Sequence, residues 1–161
     1  MAQMFNARTI QTAEPVATVP CGVAAGTRIM TMDGEIPVEF LEVGDRVITR
    51  DAGVCVLRGI VSMQVENVEM IRVAADCLGT GRPGEDVLVA PGQRVLLRDW
   101  RAMALYGQAQ AMVPVSRLVD GQYISRVAPA SARLFTLQFD ASHVIYADGL
   151  ELASEDVSVT A

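Results

Sequence analysis

Turn signals recur along this chain too often to leave room for helices between them. Asp33-Gly34, Gly44-Asp45, the stretch from Asp51 to Gly53, the loop "LGTGRPGED", the "PGQ" of residues 91 to 93 and Asp148-Gly149 all interrupt short runs rich in Val, Ile and Leu. An Asp-Gly pair between two such runs is a strong hairpin signal, because a type I′ turn holds both central residues at positive φ. "TRIMTMDGEIPVEF" therefore predicts strands near residues 27 to 32 and 35 to 38. "LEVGDRVITRDAGVCVLRGIVSMQVENVEMIRVAA" predicts more strands, the longest near 54 to 65, and "VLVA", "RVLLRD", "YISRV", "RLFTLQF", "HVIYA" and "LELA" continue the series. The one helical candidate is "PVSRLV", a single turn after Pro114. Short strands without helical blocks of about 10 to 15 residues predict an all-β sandwich or barrel.

Composition limits what such a fold can carry. With 161 residues, 51% of them apolar, the chain can bury one substantial core but not two comfortable ones. A net charge of -6 repels phosphate backbones, so nucleic acid is not an expected partner. Cys21, Cys55 and Cys77 form no paired framework, and with His143 as the only histidine they do not have the spacing of a four-ligand zinc site. No cofactor is implied. No apolar run approaches the roughly 18 residues of a membrane span, and residues 1 to 20 lack the apolar centre of a secretory signal. The chain reads as soluble, with its compartment left open. Residues 1 to 19 have no helical or strand period and read as an arm or a short added strand.

The order of the less common residues carries further information. Cys21, Gly26-Thr27-Arg28-Ile29, Thr31, Gly34, Val38, Leu41, "VGD" at 43 to 45, Val47, Thr49 and Asp51 together resemble the first block of the Hint superfamily, the self-processing domains shared by inteins and hedgehog proteins. "VLVAPGQRVLL" resembles the second block, usually Ser/Thr-Pro-x-His-Arg, and "LFTLQFDASHVIYADGLELAS" resembles the last. The resemblance is nearest to bacterial Hint modules that are not conventional inteins. It implies a horseshoe-like all-β fold over residues 21 to 154, preceded by an arm (1 to 20) and followed by a tail (155 to 161). It also implies an N-to-S acyl shift, in which the Cys21 thiol attacks the Pro20 carbonyl and turns the Pro20-Cys21 amide into a thioester. The chain's own N-terminal segment would be the substrate. Such a step needs a positioned thiol, donors for the oxyanion and an acid for the departing nitrogen.

The departures from the blocks bear on that chemistry. Where active relatives supply a Thr or Ser and a His, this chain has Ala90 and Gln93, and a glutamine amide carries no titrating proton near neutral pH. Thr136 stands where inteins often carry an acid, and the Pro20 ring crowds the carbonyl to be attacked. "ELASEDVSVTA" offers no His-Asn pair, so asparagine cyclisation, and with it splicing, is not expected. His143 aligns with the last-block histidine and orients the site, acts as its sole base, or serves as a hydrogen-bonded strand-start residue. Cys21, Gln93 and His143 are thus the candidate catalytic residues, expected to meet in space. Cys55 and Cys77 read as structural thiols, and Arg94 and Asp45 as ion-pair residues holding the fold. Two readings follow: an autoprocessing domain of weak or lost activity, or a Hint-fold module without chemistry that binds or assembles with an unidentified protein.

Overall fold

The computed structural model describes residues 21–156; the expected N-terminal arm lies outside the described residues. Among the described residues, fifteen strands are arranged in two sheets. The first contains β1 (Val23–Ala24), β6 (Gly59–Glu66), β7 (Met70–Val73), β8 (Val87–Val89), β11 (Ile124–Val127), β12 (Ser131–Phe139) and β15 (Glu155–Asp156). Its order is β11-β7-β8-β1-β12-β15, with β6 along the other side of β12. The second contains β2 (Arg28–Thr31), β3 (Gly34–Pro37), β4 (Arg46–Thr49), β5 (Gly53–Val56), β9 (Arg94–Leu97), β10 (Ala111–Pro114), β13 (Val144–Ala147) and β14 (Leu150–Ala153). Its order is β10-β9-β14-β13-β2-β4-β5, with β3 on β2. The all-β expectation holds.

Local chemistry explains the hairpins. At Asp148-Gly149 both residues sit at positive φ, 50° and 93°, as a type I′ turn requires. The first hairpin differs from its expectation. Thr31 pairs with Gly34, so Met32-Asp33 form the turn and only Gly34 has positive φ. The Thr31 hydroxyl fixes this choice by donating to Gly34 O (2.7 Å) and accepting from the Asp33 N–H (3.0 Å). Thr49 repeats the device, donating to Gly53 O and accepting from the Ala52 N–H.

The expected long strand over 54 to 65 is broken in two. Leu57 is fully buried and exchanges backbone bonds with the Gly44-Asp45 turn, whereas the next N–H, from Arg58, reaches Gln138 O on the other sheet. The chain thus changes sheets at Leu57-Arg58, a step that a run of apolar residues does not announce. The longest strand is β12. A short helix, α1 (Trp100–Tyr106), was also not expected. Its signals are present, since the Asp99 carboxylate accepts from the Arg101 N–H and Gly107 ends it in the left-handed conformation. "PVSRLV" forms only a 3-10 turn, Val115–Leu118. β15 lies beyond Ser154, so the expected tail begins inside a strand.

The main core lies between the sheets and includes Ile29, Leu57, Leu97, Phe139, Leu150 and Leu152. Met70, Ala90 and Leu134 form a smaller cluster. Buried Glu151 on β14 receives Arg98 (2.7 Å) and Arg82 (3.2 Å) on one oxygen and Arg50 (3.1 Å) on the other. This network, rather than Arg94 or Asp45, supplies the buried ion pairing. Asp45 instead accepts from the Glu42 N–H, and Arg94 has no ion pair among the described residues.

Candidate active site

Segments far apart in sequence converge on Cys21-Gly22. The turn joining β8 to β9 approaches from one side, where the Ala90 N–H donates to Gly22 O (3.0 Å) and Gln93 Oε1 accepts from the Gly22 N–H (3.0 Å). The Cys21 thiol donates to Gly92 O at 3.6 Å. From β12, the Thr136 hydroxyl donates to the Cys21 carbonyl at 3.5 Å. Gly22 has a φ of 116°, and a Cβ there would stand 2.7 Å from Phe135 O, so this approach requires glycine.

Gln93 joins three segments. While its Oε1 holds Gly22, its Nε2 donates to Ala153 O at the end of β14 (2.8 Å) and to Arg94 O (3.1 Å). These partners fix the amide's orientation and occupy both of its N–H donors. The side chain is buried and leaves no donor for an oxyanion.

A cavity of about 310 Å³ opens beside the thiol, with Cys21, Gln93, Arg94, Ser142, Ser154 and Glu155 among its walls. Burial pushes the Cys21 thiol above its ordinary pKa, the Glu155 carboxylate pushes it further, and Arg94 opposes both. Burial and Glu155 thus favour the thiol over the thiolate, which is the form that nucleophilic attack needs. The charged walls Arg94 and Glu155 lie outside the candidate residues that the sequence suggests. Arg94 follows Gln93 directly, but nothing in the sequence alone marks Glu155.

His143 stands differently. Its Nδ1 is 3.0 Å from Asp51 Oδ2, its ring lies edge-on to Phe139, and its backbone exchanges bonds with Ser154. Its ring is not among the walls of the Cys21 cavity, whereas its neighbour Ser142 and its partner Ser154 are. Cys21 and Gln93 thus meet through Gly22 as expected, while His143 is linked to them through Ser154 and turns its imidazole to Asp51. Burial raises the Asp51 pKa, but hydrogen bonds from the Val144 N–H, the His143 ring and its own backbone N–H outweigh it, leaving the carboxyl below its ordinary value. Cys55 and Cys77 are half-buried away from this cavity, Cys55 within sulfur hydrogen-bonding distance of the Thr49 hydroxyl. Among the described residues no group of His, Cys, Asp or Glu gathers to hold a metal ion.

Residues 20–156 match the Hint domain family. The chain belongs to that family. No curated protein matches the sequence. Among solved structures, the Hint fold seen here is similar to a bacterial intein-like domain from Clostridium thermocellum, with a TM-score of 0.61 and 14% identity over 86% of this chain and 100% of that one. It is also similar to the gp41-1 intein, with a TM-score of 0.56 and 10% identity over 85% and 99% of the two chains. A DnaB intein from Synechocystis gives 0.54 and 10% over 84% and 99%. At these identities the likeness concerns the fold, and the chemistry rests on this chain's own residues.

Proposed function

We propose that this Hint domain keeps the architecture of a self-processing centre at Pro20-Cys21 while its N-to-S acyl shift is slow or lost. Cys21 holds the nucleophile position, and Thr136 holds its carbonyl. The acyl shift would form a bond from Cys21 Sγ to the Pro20 carbonyl carbon, pass through an oxyanion and break the Pro20-Cys21 C–N bond, with the nitrogen taking up a proton. Three features of the site oppose that course. Burial and the Glu155 carboxylate both raise the pKa of the thiol. Ala90 has no hydroxyl to offer.

The carrying observation is the third: Gln93, in place of a general acid, spends both amide protons on the carbonyls of Arg94 and Ala153. Loss of a general acid alone lowers a rate by about 10² to 10⁴. The test is intact mass of the purified chain after hours with and without dithiothreitol. The expected result is an uncut chain in both. Thiol-dependent release of residues 1 to 20, leaving a fragment that begins at Cys21, would overturn this reading. A Hint-fold assembly module is the second reading, and the apolar strand at the rim of the first sheet, with no strand on its outer side among the described residues, favours it.

A further inference from the structure

We infer that β6 is a self-association edge, on which a second copy of this chain pairs antiparallel about a two-fold axis through Ser62. β6 pairs along its whole length with β12 on one side and with no strand on the other among the described residues. Open edges of folded proteins are ordinarily protected by lysine, proline or inward charges. From Gly59 to Glu66 the sequence "GIVSMQVE" has no proline and no charge before its last residue. Val61 is 42% exposed and Met63 54% exposed, on the face they share with Leu134.

The backbone fixes which residues are available. Beyond the Glu66–Ser131 pair, the Asn67 N–H donates to Ala130 O, its opposite residue, so this is a hydrogen-bonded pair of the ladder. Hydrogen-bonded and non-bonded pairs alternate in an antiparallel ladder. Val65, Met63 and Val61 therefore bond inward to β12. Gln64, Ser62 and Ile60 turn their N–H and C=O groups outward to the free edge.

An antiparallel partner copy centred on Ser62 uses those groups in register. Ser62 faces its own counterpart, and Ile60 faces Gln64 in both directions. The exposed Val61 and Met63 then pair with each other across the axis on one face. Just before the start of each strand, the Arg58 side chain comes near Glu66 of the other copy, twice by symmetry, while the Arg58 N–H itself bonds inward to Gln138 O. Arg58 is free to adopt this pairing, because its present ion pair with Asp140 lies on the surface, both side chains about half or more exposed. A strand that presents outward hydrogen bonds, an apolar pair and opposite charges at matching distances from one centre is complementary to itself, as an isologous interface requires.

The full chain is tested by sedimentation from about 1 µM to 1 mM, with amide exchange read at several concentrations. The expected result is a concentration-dependent dimer, with the Ile60, Ser62 and Gln64 amides slowing as it forms while Met63 stays protected throughout. Glu66→Arg places like charges opposite each other and weakens association about five-fold, and Arg58→Glu combined with Glu66→Arg restores it. A chain that is monomeric throughout overturns the proposal. So does protection of the outward amides that is independent of concentration, which would mean that residues 1 to 20 of the same chain cover the edge. A dimer insensitive to Glu66→Arg overturns the register.

Discussion

Restoring the missing second-block groups, with Gln93→His and Ala90→Thr together, tests the proposed loss of activity most directly. The gain is an acid for the leaving nitrogen and a hydroxyl donor, together worth on the order of 3 kcal/mol of barrier, or roughly 10² in rate. The structure also sets a cost. An imidazole has two ring nitrogens, so at least one of the three groups that Gln93 now satisfies, the Gly22 N–H and the carbonyls of Arg94 and Ala153, loses its partner. An orphaned buried group costs about 1 to 3 kcal/mol. Ala90 is fully buried against Met70 and Leu134, and enlarging it adds about 1 to 3 kcal/mol of overpacking.

The total, about 2 to 6 kcal/mol, falls within the usual stability of roughly 5 to 15 kcal/mol, so urea unfolding must accompany the activity measurement. The expected outcome is a weakened but folded protein that releases residues 1 to 20 with dithiothreitol and stops doing so when Cys21→Ala is added. A folded double variant that stays uncut refutes the reasoning that Ala90 and Gln93 silence the site. It would shift the obstacle to Pro20 or Thr136.

Alkylation of Cys21 by iodoacetamide at neutral pH, followed by peptide mass spectrometry, should quicken with Glu155→Gln and slow with Arg94→Gln, because the carboxylate holds the thiol up and the guanidinium pulls it down. Unchanged rates in both would remove these groups from the thiol's environment. Glu151→Gln should leave Arg50, Arg82 and Arg98 facing a neutral amide and lower stability by about 3 kcal/mol in urea, an unaltered midpoint counting against the network. Asp51 titrates below its ordinary value in the folded chain, so its contribution is present above about pH 4 and lost as pH falls through the folded pKa; Asp51→Asn should flatten that part of an acid unfolding curve.

The sequence made the fold legible where one local rule decided the outcome. Asp148-Gly149 adopts the turn its residue types favour, and β2 and β3 form at residues 28–31 and 34–37, close to where the Asp33-Gly34 signal predicts strands. It misled where two local options competed. At Asp33-Gly34 the Thr31 hydroxyl moved the turn back by one residue, and at Leu57-Arg58 the bonding partners, not the apolar pattern, ended a strand. In the candidate site, the meeting of Cys21 with Gln93 followed from the order of the blocks. The side-chain geometry did not, because the direction of the His143 ring depends on Asp51, 92 positions away, and Glu155 reaches the cavity only because β15 pairs with β12.

Position 93 shows how fold and chemistry can come apart at one residue. The fold needs an acceptor there for the Gly22 N–H and donors for two carbonyls, one of them on β14. Glutamine supplies all three and does so at any pH, since neither end of its amide titrates in the physiological range. A histidine that acts as an acid must spend part of its cycle as imidazolium, and imidazolium has no acceptor left. In this geometry it would let go of Gly22 in the protonation state that the acyl shift requires. The arrangement that holds Cys21-Gly22 between β12 and the turn before β9 is therefore, on the proposed reading, one in which position 93 has no proton to give the Pro20-Cys21 bond.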